Sequence, residues 1–305
     1  MLKQESLLTR LSRQKALQAM AIPGLIWMIV FNYIPMYGVI IAFKEYRVIN
    51  TIGNAPWVGL THFREIFRDT DFFLTMKNTL GISLLKLLIG FPLPIVFALL
   101  LNEIRTIRFK RWVQTVSYLP HFLSWVVLGG IMIPWLSETG FINELLTKIN
   151  PGREAVPFLG RPEGFWMLSV LSDTWKEMGW GAIIYLAAMS GIPPELYEAA
   201  VVDGANRFHK MRYVTLPCIA GTITILLILA ISGILNTNFE QMLVLNNPLN
   251  NDASNVIDLY VYRTGIRGLR FSYSTAVGLF KALIALVLLM GANGLSKKYQ
   301  GRSLF

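Results

Sequence analysis

Six stretches of this chain carry so little charge over so many residues that water cannot be their solvent. They cover residues 20–43, 78–101, 113–136, 165–189, 216–235 and 275–293, each close to the ~20 residues a helix needs to cross roughly 30 Å of hydrocarbon. All six read as spanning helices, so the expected fold is an all-α membrane protein. Prolines inside the spans (Pro23, Pro35, Pro92, Pro94, Pro134) free backbone groups that neighbouring helices must satisfy, which favours a packed bundle over independent anchors.

Composition excludes the main alternatives. The 305 residues are 54% hydrophobic and 15% charged, against roughly 45–50% and about 25% in soluble proteins, which rules out a soluble enzyme with one large core. The single cysteine, Cys218, has no partner in the chain, and His62, His121 and His209 are far apart in sequence, so no disulfide scaffold or metal site is expected. The first apolar run is too long for a signal-peptide core and lacks a convincing small-residue cleavage site. The basic segment before it, with Lys3, Arg10, Arg13 and Lys15, is expected to stay attached.

Lysine and arginine counts orient the bundle. With the N-terminus inside, the cytoplasmic pieces 1–19, 102–112, 190–215 and 294–305 hold 14 Lys and Arg in 68 residues, and the outer pieces 44–77, 137–164 and 236–274 hold 11 in 101. The short loop with Arg105, Arg108, Lys110 and Arg111 is the clearest signal. Both termini are predicted to be cytoplasmic, around a permease domain over 20–293. The net charge of +10 then comes from cytoplasmic pieces totalling +9, spread over four segments, and does not point to nucleic acid. Turn chemistry at Asn246-Asn247-Pro248, mixed with apolar and aromatic residues such as Phe158, Ile257 and Tyr260, predicts outer loops that fold as lids or short helices.

The loop between spans four and five, 190–215, carries the functional signal. Pro193 and Pro194 suit the first turn of a helix, and Glu195 and Glu198 complement its positive end. Leu196, Ala199, Ala200 and Asp203 make a narrow face with small residues that a partner can approach closely. Gly204 permits a sharp exit at positive φ. A short cytoplasmic helix of this kind reads as a docking element.

The same stretch resembles the EAA motif of bacterial ABC importer permeases. Glu198-Ala199-Ala200 is followed after three residues by Gly204, and after nine more by Val214-x-Leu216-Pro217; the one departure is Val214, where the family usually has isoleucine. Further segments, Asn32-Tyr-Ile-Pro-Met-Tyr-Gly, Trp57-Val-Gly-Leu, Trp175-Lys-Glu-Met-Gly-Trp-Gly181, Phe239-Glu-Gln241 and Asp258-Leu-Tyr-Val-Tyr-Arg-Thr-Gly265, resemble the carbohydrate-uptake (maltose-type) class, and within it the polysaccharide or lipoprotein-associated oligosaccharide permeases. The resemblance implies a type I ABC importer permease fold in the bacterial cytoplasmic membrane. It implies that Glu195, Glu198, Ala199, Ala200, Asp203, Gly204, Leu216 and Pro217 couple to a cytoplasmic ATPase. The partners it implies are a second EAA-bearing permease in a heterodimer, two ATPase subunits, an extracytoplasmic solute-binding lipoprotein and an oligosaccharide substrate. ATP and Mg would sit on the ATPase, with no cofactor on this chain.

Charges inside spans need a reason, since each costs roughly 2.5–3.5 kcal/mol on insertion scales. Lys86 and Lys281 are expected to be structural, snorkelling outward. In span four Asp173, Lys176, Glu177 and Trp180 fall on one face, and are candidates either for an internal ion pair or for the substrate path; Trp175 and Gly179 lie on the neighbouring stripe. An ion-coupled secondary transporter using Asp173 and Glu177 is the alternative, but it calls for inverted-repeat halves and interrupted spans, and neither is evident. An intramembrane enzyme lacks a catalytic set: no nucleophile elbow or phosphate loop is present, and Gly129-Gly130 reads as helix packing.

Overall fold

A computed structural model describes residues 14–300; Lys3, Arg10 and Arg13 of the expected N-terminal segment and Arg302 of the tail lie outside the described residues. Within them every regular element is helical, apart from one antiparallel bridge between Lys44 and Trp57. Three helices are long and apolar enough to cross a membrane: Lys15–Phe43, Thr70–Asn102 and Phe271–Gly294. Two bent pairs, Ile107–Phe122 with Trp125–Trp135 and Arg207–Cys218 with Ala220–Ser232, raise the number to five if each is one span. The sixth expected span is the 26-residue helix Phe165–Ser190, whose Asp173, Lys176 and Glu177 lower its hydropathy.

The chain divides into two compact units. The first joins the N-terminal part up to Ile66 with Thr264–Leu279. Its α1 (Lys15–Phe43) leaves Trp27, Phe31 and Tyr33 exposed, as a lipid-facing helix does. After α1 the chain turns back through Phe43 stacked on Trp57 at 5.8 Å, with Lys44 Nζ donating to Ile52 O at 2.8 Å. Helix α2 (Thr61–Ile66) follows.

The second unit holds Phe67–Arg263 and the chain from Phe280 onward. Its helices are α3 (Thr70–Asn102), α4 (Ile107–Phe122), α5 (Trp125–Trp135), α6 (Phe141–Ile149), α7 (Phe165–Ser190) and α8 (Pro194–Val202). There follow α9 (Arg207–Cys218), α10 (Ala220–Ser232), α11 (Phe239–Leu245), α12 (Asn251–Ser254) and α13 (Ile257–Val261); α14 (Phe271–Gln300) begins in the first unit. Asp69 starts α3 by accepting from Asp71 N at 2.9 Å and Phe72 N at 3.3 Å, satisfying amides that a helix start leaves open.

Three of the spans show a common device. The π-turns Ile29–Tyr33, Lys86–Gly90 and Met211–Thr215 each end two residues before a proline, Pro35, Pro92 and Pro217. Proline has no N–H and crowds the carbonyl four residues back, so the ladder shifts to i→i+5 just ahead of it; Phe91 N donating to Lys86 O at 3.0 Å is such a bond. The backbone groups freed by proline are thus partly re-satisfied within the helix itself.

Two spans are interrupted, contrary to the sequence expectation. Between α4 and α5 the chain bends by 100° because Leu123 is extended (φ −82, ψ 134) and Ser124 caps a new helix, accepting from Val127 N at 3.3 Å. Between α9 and α10 the bend is 64°. The connections predicted to be outer do form short helices, α6 and α11 to α13. Asn78 Nδ2 donates to Asp252 O and Asn255 O at 2.8 and 3.0 Å, Thr79 Oγ1 accepts from Ile257 N at 2.9 Å, and Gln241 Nε2 donates to Ser169 O at 2.8 Å. Polar side chains of α3, and Gln241 of α11 on the α7 backbone, therefore hold α11 to α13.

Helix α7 is the centre of the second unit. Its early residues Phe165 and Val170 join Ile82, Met242, Leu245, Val256 and Leu259 in one apolar cluster, and its late residues Ala182, Tyr185 and Met189 join Ile95, Ala98 and Ile219 in another. The charged residues lie between the two. Gly179 sets the approach of α4: a Cβ there would stand 2.1 Å from Ser117 O. Gly179→Ala should therefore push the helices apart, an overpacking cost of about 1–3 kcal/mol, read as a lower melting temperature in detergent. Gly130→Ala, with nothing within 4 Å of the added methyl, should leave it unchanged. Equal melting of both variants and the parent would refute the close approach.

Candidate functional site

Two sites emerge from the elements above, one at the loop carrying α8 and one midway along α7. In the first, Pro193 precedes a helix that begins with Pro194 and has Glu195 in its first turn. The helix ends on Gly204 at φ +77. Ala205 N donates to Ala200 O at 2.8 Å and Gly204 N to Val201 O at 3.0 Å, the paired bonds of a Schellman cap. Glu195, Leu196, Glu198, Ala199, Val202 and Asp203 are exposed, with Ala200 intermediate, so the small-residue face and its acidic flanks point away from the chain. Tyr197 OH and Thr215 Oγ1 share a hydrogen bond of 3.0 Å, tying α8 to the one buried residue near the end of α9. Leu216 and Pro217 lie beyond, at the bend. Cys218 is exposed, and Ile219 takes the buried position instead.

In the second site α7 presents its charged residues to three other elements. Asp173 Oδ2 lies 2.7 Å from Lys86 Nζ on α3, and its Oδ1 accepts from Asn238 Nδ2 at 3.2 Å. One turn on, Lys176 Nζ donates to His121 O at 2.7 Å and to Glu177 Oε1 at 3.0 Å. Glu177 Oε2 lies 2.7 Å from His121 Nδ1. The His121 ring stacks on Trp180, centroids 4.3 Å apart and 2° from parallel, with Phe122 edge-on to the same indole at 5.6 Å.

A cavity of about 270 Å³ opens beside these groups, lined by the polar residues Ser83, Lys86, Asp173, Thr174, Glu177 and Asn236 among apolar neighbours. Thr174 Oγ1 is buried there without a hydrogen-bond partner. Of the four residues predicted from span four, Asp173 and Glu177 line the cavity, Lys176 is turned to the His121 carbonyl, and Trp180 is half exposed outside it. Sequence reasoning missed Lys86, Thr174, His121 and Asn238. An intramembrane lysine one span away from an intramembrane aspartate was the available signal for the first. Lys86 does not snorkel, because Asp173 offers a nearer partner, and Lys281 likewise bonds Asp258, which also accepts from Thr237. Trp175 is exposed rather than packed between helices.

Long apolar helices, bent helix pairs and a cavity lined by charged side chains define a multi-span membrane protein among the described residues. The chain belongs to the family described as binding-protein-dependent transport system inner membrane component, whose model matches residues 90–300. It is 46% identical to the polygalacturonan/rhamnogalacturonan transport system permease protein YteP of Bacillus subtilis (strain 168), covering 97% of this chain and 92% of the relative. Protein LplB of the same organism is 43% identical over 98% of this chain and 94% of its own length. A solved bacterial alginate ABC transporter, in complex with an alginate pentasaccharide-bound periplasmic protein, matches with TM-score 0.89 at 40% identity, over 98% of this chain and all of that one.

The Lys86 and Asp173 contact yields a test. Lys86→Met leaves a buried carboxylate unpaired, which costs about 3–5 kcal/mol in comparable settings, so the yield of folded protein should fall. Adding Asp173→Asn should restore the yield without restoring uptake. Normal yield for Lys86→Met alone would show that the pair carries no such weight.

Proposed function

We propose that this chain is the permease subunit of an ATP-driven importer of oligosaccharides, and that sugar crosses the membrane past the cavity beside Asp173 and Glu177. The observation that carries this reading is the site itself: a half-open cavity of about 270 Å³ that sets charged and polar groups among apolar neighbours, in a chain whose capped α8 loop faces outward. Support for the substrate class comes from relatives whose names refer to polygalacturonan, rhamnogalacturonan and alginate. Those glycans are acidic, so oligosaccharides containing uronates are the substrates we favour. Asp173 and Glu177 are both held by basic partners, which suits a fixed polar lining better than a proton relay.

In this assembly the chain pairs with a second EAA-bearing permease, and two ATPase subunits dock on the exposed face of α8. A binding lipoprotein delivers sugar to the outer loops. The chain sits in the bacterial cytoplasmic membrane with residues 1–19, the loop 190–215 and residues 294–305 inside, around the six-span domain 20–293. ATP and Mg belong to the ATPase, and this chain catalyses no reaction. Glu195, Glu198, Ala199, Ala200, Asp203 and Gly204 transmit ATPase closure, through Leu216 and Pro217, to span five.

Two experiments test this. Gly204→Val places a β-branched residue at φ +77, where only glycine is unstrained, so the cap should break. Reconstituted vesicles should lose uptake and binding-protein-stimulated ATP hydrolysis while the complex still assembles; normal coupling would sink the docking role. In a Cys218→Ser background, single cysteines at Asn247 and Arg108 should label from opposite sides of the membrane. Labelling of both from outside intact cells would overturn the orientation.

A further inference from the structure

Away from the charged cavity, α4 combines two features that complement a lipid. Arg105, Arg108, Lys110 and Arg111 crowd its N-terminal end, the three arginines exposed, and none of the four forms an ion pair among the described residues. Beyond them lies a groove of about 230 Å³ lined by Phe97 of α3, by Trp112, Val116 and Pro120 of α4, and by Trp175 and Met178 of α7. Trp112 and Trp175 are 63% and 52% exposed, two large apolar rings facing outward beside a row of cations.

The dimensions match one leaflet. At 1.5 Å per residue α4 rises roughly 16 Å from Arg111 to Phe122, close to half of a ~30 Å hydrocarbon core, and there the chain bends by 100°. Cations at the headgroup level and an apolar groove running to the midplane are the two halves of a phospholipid's shape. On the helical wheel Arg108 and Lys110 flank the stripe of Phe109, Trp112 and Val116, so cations border the apolar strip at its start. Phe109 stacks on Trp112 at 6.3 Å, which fixes the ring at the mouth of the groove.

We propose that this groove binds one anionic phospholipid of the cytoplasmic leaflet, its phosphate held by Arg108 and Arg111 and one acyl chain lying along Trp112 and Trp175. Charge complementarity selects this occupant: an acyl chain alone would need no arginines. The proposal rests on the inward orientation given above for the loop at 102–112. Its consequence for transport is local. Trp175 and Met178 bracket Lys176 and Glu177, and Gly179 rests on Ser117 O, so a bound chain braces the α4 and α7 contact that holds His121 against the charged residues.

The test uses the assembled transporter in nanodiscs containing a minor fraction of phosphatidylglycerol or of phosphatidylcholine, each brominated along its acyl chains. Tryptophan fluorescence should be quenched more by the anionic lipid. That surplus should be lost in Trp112→Phe/Trp175→Phe, and in Arg108→Gln/Arg111→Gln. Should the arginine variant fail to assemble, the unmodified complex at high salt serves, where the surplus should shrink through screening. No surplus, or a surplus indifferent to both arginines and salt, overturns the proposal; so does absence of any quenching at Trp112 and Trp175, which would mean that the second permease subunit fills the groove. Failure of the transport reading would appear in uptake assays, and failure of the orientation as outside labelling of position 108, with the quenching unaffected by either.

Discussion

The second unit depends on one contact, the 2.7 Å pair between Lys86 Nζ and Asp173 Oδ2. Neither charge is tolerable alone in hydrocarbon, and their union leaves a neutral, directional link between α3 and α7. Asn238, which caps α11 through Gln241 N at 3.3 Å, joins the same carboxylate, so one side chain fixes three elements. The Lys176, Glu177 and His121 set adds α4 one turn further along. The apolar clusters on either side fill space around this polar seam, and it is the seam that determines which helices become neighbours.

Proline placement gives the spans their shape. Each of the three π-turns offers the bundle a local widening at a defined height, and two of them, at Lys86–Gly90 and Met211–Thr215, adjoin the two candidate sites. The first puts Lys86 itself at the start of the widened turn. A helix that must carry a cation toward a neighbour gains reach where its ladder is loosened, and the same loosening makes room for the cavity. The breaks at Leu123 and Ile219 do the same on a larger scale.

Much of this was legible in the sequence. Apolar run length located four long helices and the two runs that prove to be bent pairs, and the proline pair, acidic turn and glycine of the α8 loop predicted its cap, because local backbone chemistry decides those features. The charged stripe of α7 was visible too, but its partners were not. His121 and Asn238 lie 55 and 65 residues from their partners, and no periodicity reports contacts between segments. The two breaks were hidden for a related reason: hydropathy does not register a single extended residue such as Leu123, so one apolar run concealed two helices.

The hydrogen bond between Tyr197 and Thr215 gives the α8 loop a mechanical character. It closes the loop on itself at the neck, and the Schellman cap removes play at the tip, so the segment has little slack. Under the proposed coupling, a displacement of its exposed face reaches Thr215, the last residue of a π-turn, through that bond. What the hydroxyl pair supplies under the proposed coupling is stiffness rather than affinity: it turns a surface loop into a crank, and the turn before Pro217 into its pivot.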